Sequence, residues 1–174
     1  MAVSAGILLY RRRPTGLELL IAHPGGPLWA GREDGAWSIP KGVVEQGERP
    51  FDVARREFAE ETGHEAPASP NAYLPLGEVR TATGKRIVAW AAEGDLDPSK
   101  ATSNTFEMPW PPGSGRRQVF PEIDRVAWVT PTEARRLLHT AQTAFVDRLE
   151  AALAEGEEAP AEAAAELDGP TRSR

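Results

Sequence analysis

The chain has 174 residues, 40% of them apolar, enough for one ordinary domain with a real core. Its formal net charge is −6, and residues 155–174 alone hold six acids against two arginines, so a globally basic nucleic-acid footprint is excluded. There is no cysteine, which rules out a disulfide framework, a thiolate zinc site and a Cys nucleophile, and agrees with a reducing cytoplasm.

The N-terminal apolar run is followed by Arg11-Arg12-Arg13, not preceded by charge, so it does not read as a signal peptide. No apolar stretch approaches membrane-spanning length. Ala2 to Tyr10 predicts a buried strand, and Leu17 to Ala22 a second; Arg13-Pro14-Thr15-Gly16 turns between them. Residues 28–36 read as a loop. Trp37-Ser38-Ile39 is a short extended piece before Pro40. Lys41 to Glu48 reads as a loop with two glycines. Pro50 opens a helix, Asp52 suits its first turn and Gly63 stops it.

Tyr73 to Arg80 and Lys85 to Ala92 predict strands joined by a turn at 81–84. Residues 99–118 are rich in Pro, Gly and Ser and read as one long irregular segment, a length more often functional than idle. Ile123 to Val129 predicts another strand. Thr130, Pro131 and Glu133 form a helix cap, with the helix running to about His139. Ala141 to Leu153 predicts a last amphipathic helix. Strands and helices without regular βαβ alternation argue an α+β layered fold. Residues 1–154 form one domain; residues 155–174 are an acidic, Ala/Glu-rich tail expected to be disordered.

One stretch carries chemistry. In the helix after Pro50, Phe51, Ala54 and Phe58 make a narrow apolar stripe, while Glu57, Glu60 and Glu61 fall within one turn on another face. Like charges at that spacing destabilise a helix by roughly a few tenths of a kcal/mol. They either form a solvated face salted by Arg56 or hold something positive. Oxygen-only donors point to Mg²⁺ or Mn²⁺.

The stretch from Gly42 to His64 resembles the Nudix signature G-x5-E-x7-R-E-U-x-E-E-x-G-U, where U is a bulky apolar residue. Gly42, Glu48, Arg56, Glu57, Phe58, Glu60, Glu61 and Gly63 match in spacing; His64 departs from the last position. The resemblance implies a Nudix-type α/β/α sandwich with a mixed central sheet, hydrolysing a nucleoside diphosphate linked to another moiety. It implies Glu57, Glu60 and Glu61 as metal ligands, Arg56 to orient them, Glu48 to brace the motif and the Gly42 carbonyl as a further ligand. Glu60 or Glu61 is then the general base, with Glu122 or Asp124 as a distal ligand. His64 lies past the helix end, where a packing difference is expected and no lost chemistry.

The lead-in Trp37-Ser38-Ile39-Pro40-Lys41-Gly42 resembles the W-x-x-P-K-G of the diadenosine and diphosphoinositol polyphosphate branches. Lys41 is either a phosphate contact or a surface lysine. Trp110 either stacks on a base or anchors its loop. Residues 103–110 are a candidate lid, and Arg116 and Arg117 are candidates for distal phosphates. The expected substrate is a small-molecule nucleotide, a dinucleoside polyphosphate first. The alternatives are an oxidised nucleoside triphosphate, a nucleotide sugar, or a fold that only binds nucleotides. No nucleic-acid or membrane partner is expected.

Overall fold

The computed structural model describes residues 2–158. It opens on a hairpin of β1 (Val3–Arg13) and β2 (Gly16–Pro24), antiparallel from Tyr10↔Leu19 to Arg13↔Gly16. The sequence predicts a break after Tyr10, but β1 runs on through Arg11, Arg12 and Arg13. Arg11 lies on the ladder and donates from Nε to Glu18 on β2 at 2.8 Å, so a charged pair continues the hairpin where apolar residues end.

The predicted loop at 41–48 begins as a strand. β3 (Lys41–Val43) pairs antiparallel with β1 from Ser4↔Val43 to Gly6↔Lys41. It fills the edge of β1 that β2 leaves open, and Val44 N–H completes it by donating to the Val3 carbonyl at 2.8 Å. α1 (Pro50–Thr62) follows. β4 (Tyr73–Arg80) and β5 (Arg86–Glu93) are antiparallel, and β5 runs parallel to β1 from Val3↔Arg86 to Tyr10↔Glu93.

Residues 99–118 are not one irregular segment. β6 (Thr105–Pro109) and β7 (Arg117–Pro121) make a separate two-stranded hairpin. β8 (Ile123–Val129) returns to the main sheet beside β2. α2 (Pro131–Leu137) starts at the capping box of Thr130 and Glu133 and ends two residues before the expected His139. After a 3₁₀ turn at Thr140–Gln142, α3 (Thr143–Glu158) continues past residue 154, so part of the predicted tail is helical. The rest of that tail, 159–174, lies outside the described residues.

The main sheet has the order β4-β5-β1-β2-β8 with β3 added on β1, and it mixes parallel with antiparallel pairs. Its central strands are apolar on both faces, which only a covered sheet tolerates. On β1, Ala5, Ile7 and Leu9 face α1 with Val53, Ala54 and Phe58. Leu8 and Tyr10 face the other way, toward Leu137 on α2 and Phe145, Val146 and Leu149 on α3. Helices therefore cover both faces of an α+β mixed sheet. No helix among the described residues is long and apolar enough to cross a membrane.

Candidate active site

The site grows from the C-terminal half of α1. Pro50 takes the first helical position and Gly63 ends the helix in the left-handed region, φ 72°, with its N–H on the Ala59 carbonyl at 2.8 Å. Ala54 and Phe58 are fully buried, while Phe51 stays half-buried with its ring edge-on to Tyr73 and Trp90 at 4.8 and 5.2 Å. Burial of that stripe leaves Glu57 against Gly42 and Glu61 against Lys41, both on β3. His64 uses the helix end differently from an aliphatic residue. Its Nδ1 lies 3.0 Å from the Thr62 carbonyl, and its N–H donates to Thr62 Oγ1 at 3.2 Å.

Arg56 is threaded among the acids. Nη1 donates to Glu48 Oε1 at 2.5 Å, and the guanidinium lies 3.7 Å from Glu57 and 3.8 Å from Glu60. Glu48 also accepts the Glu45 N–H at 3.0 Å. The Arg56 bond holds the Glu48 carboxyl below its ordinary range, and the same bond raises the Arg56 pKa. The loop end and the helix are thus fastened together at the side of the carboxylate cluster.

Glu57 and Glu61 are perturbed the other way. Burial pushes the Glu57 carboxyl up, the Glu60 charge adds to it, and the nearby Arg56 only partly opposes this. Burial pushes Glu61 up to about 8, against the opposing pull of Lys41 and with the charges of Glu57 and Glu122 adding to it. Lys41 N–H donates to Glu61 Oε2 at 3.1 Å, so β3 and the end of α1 are joined at this carboxylate. Gly42 lies directly against Glu57; a Cβ there would collide with the Glu57 carboxyl, and only glycine lets the two approach.

The two candidate distal acids, Glu122 and Asp124, have different surroundings. Asn104 N–H donates to the Glu60 carbonyl at 3.0 Å, and its own carbonyl accepts the Glu122 N–H at 2.8 Å. Gly25 N–H then donates to the Glu122 carbonyl, also at 2.8 Å. This backbone chain holds Glu122 where its charge acts on both Glu57 and Glu61. Asp124 turns to His23 instead, Oδ1 to Nδ1 at 2.8 Å, while His23 Nε2 contacts the Arg32 carbonyl at 2.6 Å.

Four carboxylates, Glu57, Glu60, Glu61 and Glu122, thus share one region with Gly42. Among the described residues no three acids or imidazoles converge into ligating geometry. The donor chemistry nonetheless fits a hard cation. All the donors are oxygen, and burial, with the neighbouring carboxylate charges adding to it, raises Glu57 and Glu61 above the ordinary carboxylate range.

The other expected residues lie elsewhere. Trp110 is half-buried at the hairpin turn, its N–H on the Arg116 carbonyl at 2.9 Å. Arg117 is exposed and donates from Nε to Glu107 across the hairpin at 2.7 Å. None of these three lines the cavity beside Glu122, whose walls include Leu28, Trp29, Phe106 and Met108. The signal for the last two is the alternation in Thr105-Phe106-Glu107-Met108-Pro109, a strand pattern of period two.

Residues 1–149 match the family model of the NUDIX domain. Over 56 residues the chain is 38% identical to an RNA pyrophosphohydrolase of Bartonella clarridgeiae, covering 26% of this chain and 32% of that protein. It is 36% identical over 76 residues to an 8-oxo-(d)GTP phosphatase of Mycolicibacterium smegmatis, covering 42% of this chain and 23% of that protein. The chain therefore spans a third or less of the length of these two relatives. The fold of a C. elegans Ap4A hydrolase in a binary complex is similar, with TM-score 0.60 and 21% identity over 89% of this chain and 99% of that one. With a family model matched over residues 1–149 of the chain, the protein belongs to the Nudix hydrolase family.

Proposed function

We propose that this chain hydrolyses a pyrophosphate bond in a nucleoside diphosphate derivative, a dinucleoside polyphosphate first, with Mg²⁺ or Mn²⁺. The observation that carries this reading is the gathering of Glu57, Glu60, Glu61 and Glu122 around Gly42, an all-oxygen donor set. The residues to hold the metal are those four carboxylates and the Gly42 carbonyl. A bound divalent ion would supply charge neutralisation at the pyrophosphate and a lower pKa for the attacking water. Glu60 or Glu61 accepts the proton of that water. Arg56 orients the acids and Glu48 holds Arg56. Lys41 places an ammonium beside the cluster for a phosphate oxygen. Arg116 and Arg117, further along the hairpin, serve the distal phosphates of a longer substrate, and Trp110 anchors the turn that carries them.

A second reading, removal of pyrophosphate from a triphosphorylated RNA 5′ end, is favoured by the relative in Bartonella clarridgeiae. A panel of nucleotide pyrophosphates and 5′-triphosphate RNA, run with Mg²⁺ and with products identified by mass, decides between them. AMP and ATP from diadenosine tetraphosphate support the first. Pyrophosphate release from RNA alone supports the second. Binding without cleavage of any member would leave a nucleotide-binding module and overturn both.

A further inference from the structure

Residues 37–40, which lead into β3, are fixed by backbone bonds at every residue but one. Ser38 exchanges both of its hydrogen bonds with Ala22 on β2, at 2.8 and 2.9 Å. Trp37 donates to the Leu137 carbonyl at 3.0 Å and accepts from the His139 N–H at 2.8 Å. The Pro40 carbonyl accepts the Ile7 N–H at 3.1 Å, and Gly6 packs so closely on that carbonyl that a Cβ would meet it at 2.5 Å. Ile39 is the exception. Its N–H donates to a side chain, Gln142 Oε1, at 2.9 Å.

Gln142 closes the 3₁₀ turn ahead of α3 and is 2% exposed. Both ends of its amide are used. Nε2 donates to Ser38 Oγ at 3.0 Å, and Ser38 Oγ donates to the Ile39 carbonyl at 2.7 Å. The glutamine thus holds the Ile39 N–H directly and the Ile39 carbonyl through Ser38. An amide buried this deeply is tolerated only with its bonds made, and packing alone would be served as well by an apolar side chain of the same size.

Ile39 lies two residues before Lys41, whose N–H bonds Glu61, and three before Gly42, which lies against Glu57. Pro40 makes this a stiff connection. It locks its own φ and confines Ile39 to extended backbone, so few dihedrals can absorb a shift. Toward β1 the segment is held by the Ile7 bond and by a β3 of only three residues. Without Gln142 the Ile39 N–H would be buried with no partner, and relief requires its peptide to turn and pull on that short strand.

We propose that Gln142 is a positioning residue for the carboxylate cluster: through Ile39 and Pro40 it sets where Lys41 and Gly42 meet Glu61 and Glu57, and with that the affinity of the cluster for a divalent cation. Its amide bonds Ser38 and Ile39, and its effect reaches the acids only through them. Residues that orient a metal site from behind its ligands are worth roughly 10–100-fold in metal affinity. That effect rests on the metal-dependent reading above, whereas the placement of Lys41 does not.

The test is calorimetric titration of the full chain with Mg²⁺, without substrate and well below the melting temperature, together with hydrogen exchange of the Lys41 amide in metal-free protein. Gln142→Leu, which fills the same space without the amide, should weaken Mg²⁺ binding about tenfold or more and speed Lys41 exchange. Gln142→Glu keeps an oxygen for the Ile39 N–H and should stay within about threefold of the unsubstituted chain. Leu149→Ala removes fully buried apolar volume from α3 but leaves the Gln142 amide and its partners in place; it should lower the melting temperature and leave Mg²⁺ affinity unchanged. Gln142→Leu binding Mg²⁺ like the unsubstituted chain, or Leu149→Ala weakening it as much as Gln142→Leu does, would overturn the positioning role. If Gln142→Leu does not fold, Gln142→Asn, one methylene too short to reach both partners, carries the same expectations. If the unsubstituted chain takes up no Mg²⁺, the metal reading falls by itself and Lys41 exchange decides the placement. Exchange faster in Gln142→Leu than in Leu149→Ala upholds it, and equal rates overturn it.

Discussion

The end of α1 and the cavity at β6 border the same site through Glu122, yet they are built in opposite ways. The helix end collects charge from residues 48–61, a span of fourteen positions, and fastens it with Arg56, Glu48 and the Lys41 amide. The cavity is nearly uncharged and joins segments about 80 positions apart, Leu28-Trp29 and Phe106-Met108. The charged end thus draws three of its four carboxylates from a single helical turn, whereas the apolar wall is assembled across the fold.

The sharpest separation comes from the acids. Glu60→Gln and Glu61→Gln should each lower kcat by about 10²–10⁴ if that residue is the general base. Turnover that survives both substitutions would break the assignment of chemistry to this end. Glu61→Gln should also leave the fold intact, because it keeps a carbonyl for the Lys41 N–H and replaces a carboxyl whose ionisation burial already disfavours; circular dichroism and the melting temperature check this.

Phe58→Ala breaks the scaffold of that same end. Phe58 is 1% exposed, and its loss should cost about 3–5 kcal/mol, read as a fall in the denaturation midpoint. Destabilisation below about 1 kcal/mol would mean that the helix is not held by its apolar stripe. On the hairpin the effects should be smaller. Arg116→Ala with Arg117→Ala should raise KM severalfold for a dinucleoside tetraphosphate and leave KM for ADP-sized substrates unchanged. Equal effects on both would place these arginines against the near phosphates.

The same contrast explains what the residues disclosed on their own. The helix bounds, its Gly63 stop and the clustering of Glu57, Glu60 and Glu61 follow from spacing of 3 and 4, which is local physics. The strands at Tyr73–Arg80 and Ile123–Val129 were equally legible from their runs of apolar and β-branched residues. The hairpin was hidden because Pro109, Pro111, Pro112, Gly113 and Gly115 crowd its turn and mask two five-residue strands. β3 was hidden because its pairing depends on a free edge of β1 that no local pattern announces. The choice between Glu122 and Asp124 was beyond spacing altogether. Glu122 sits in the bend between β7 and β8 and Asp124 on β8, and the backbone bonds of Asn104 and Gly25 and the His23 partner give them different surroundings.

Charge at the helix end also sets the pH dependence. Burial raises Glu57 and raises Glu61 to about 8, so the folded chain holds protons that the unfolded chain releases near 4.5. Without a divalent cation, stability should therefore fall as pH rises from about 4.5 to 8. A cation bound to the ionised acids should reverse that fall, and most strongly at the alkaline end.

Thermal melting at pH 8 across a Mg²⁺ titration, for the unsubstituted chain and for Glu57→Gln and Glu61→Gln, tests the metal cradle directly. The unsubstituted chain should melt lowest without Mg²⁺ and gain several degrees at millimolar Mg²⁺, roughly 2–4 °C for each kcal/mol in a domain of this size. Both variants should start higher and gain little. An equal Mg²⁺ gain in all three proteins, or no gain in any, would contradict a divalent-cation site at the end of α1.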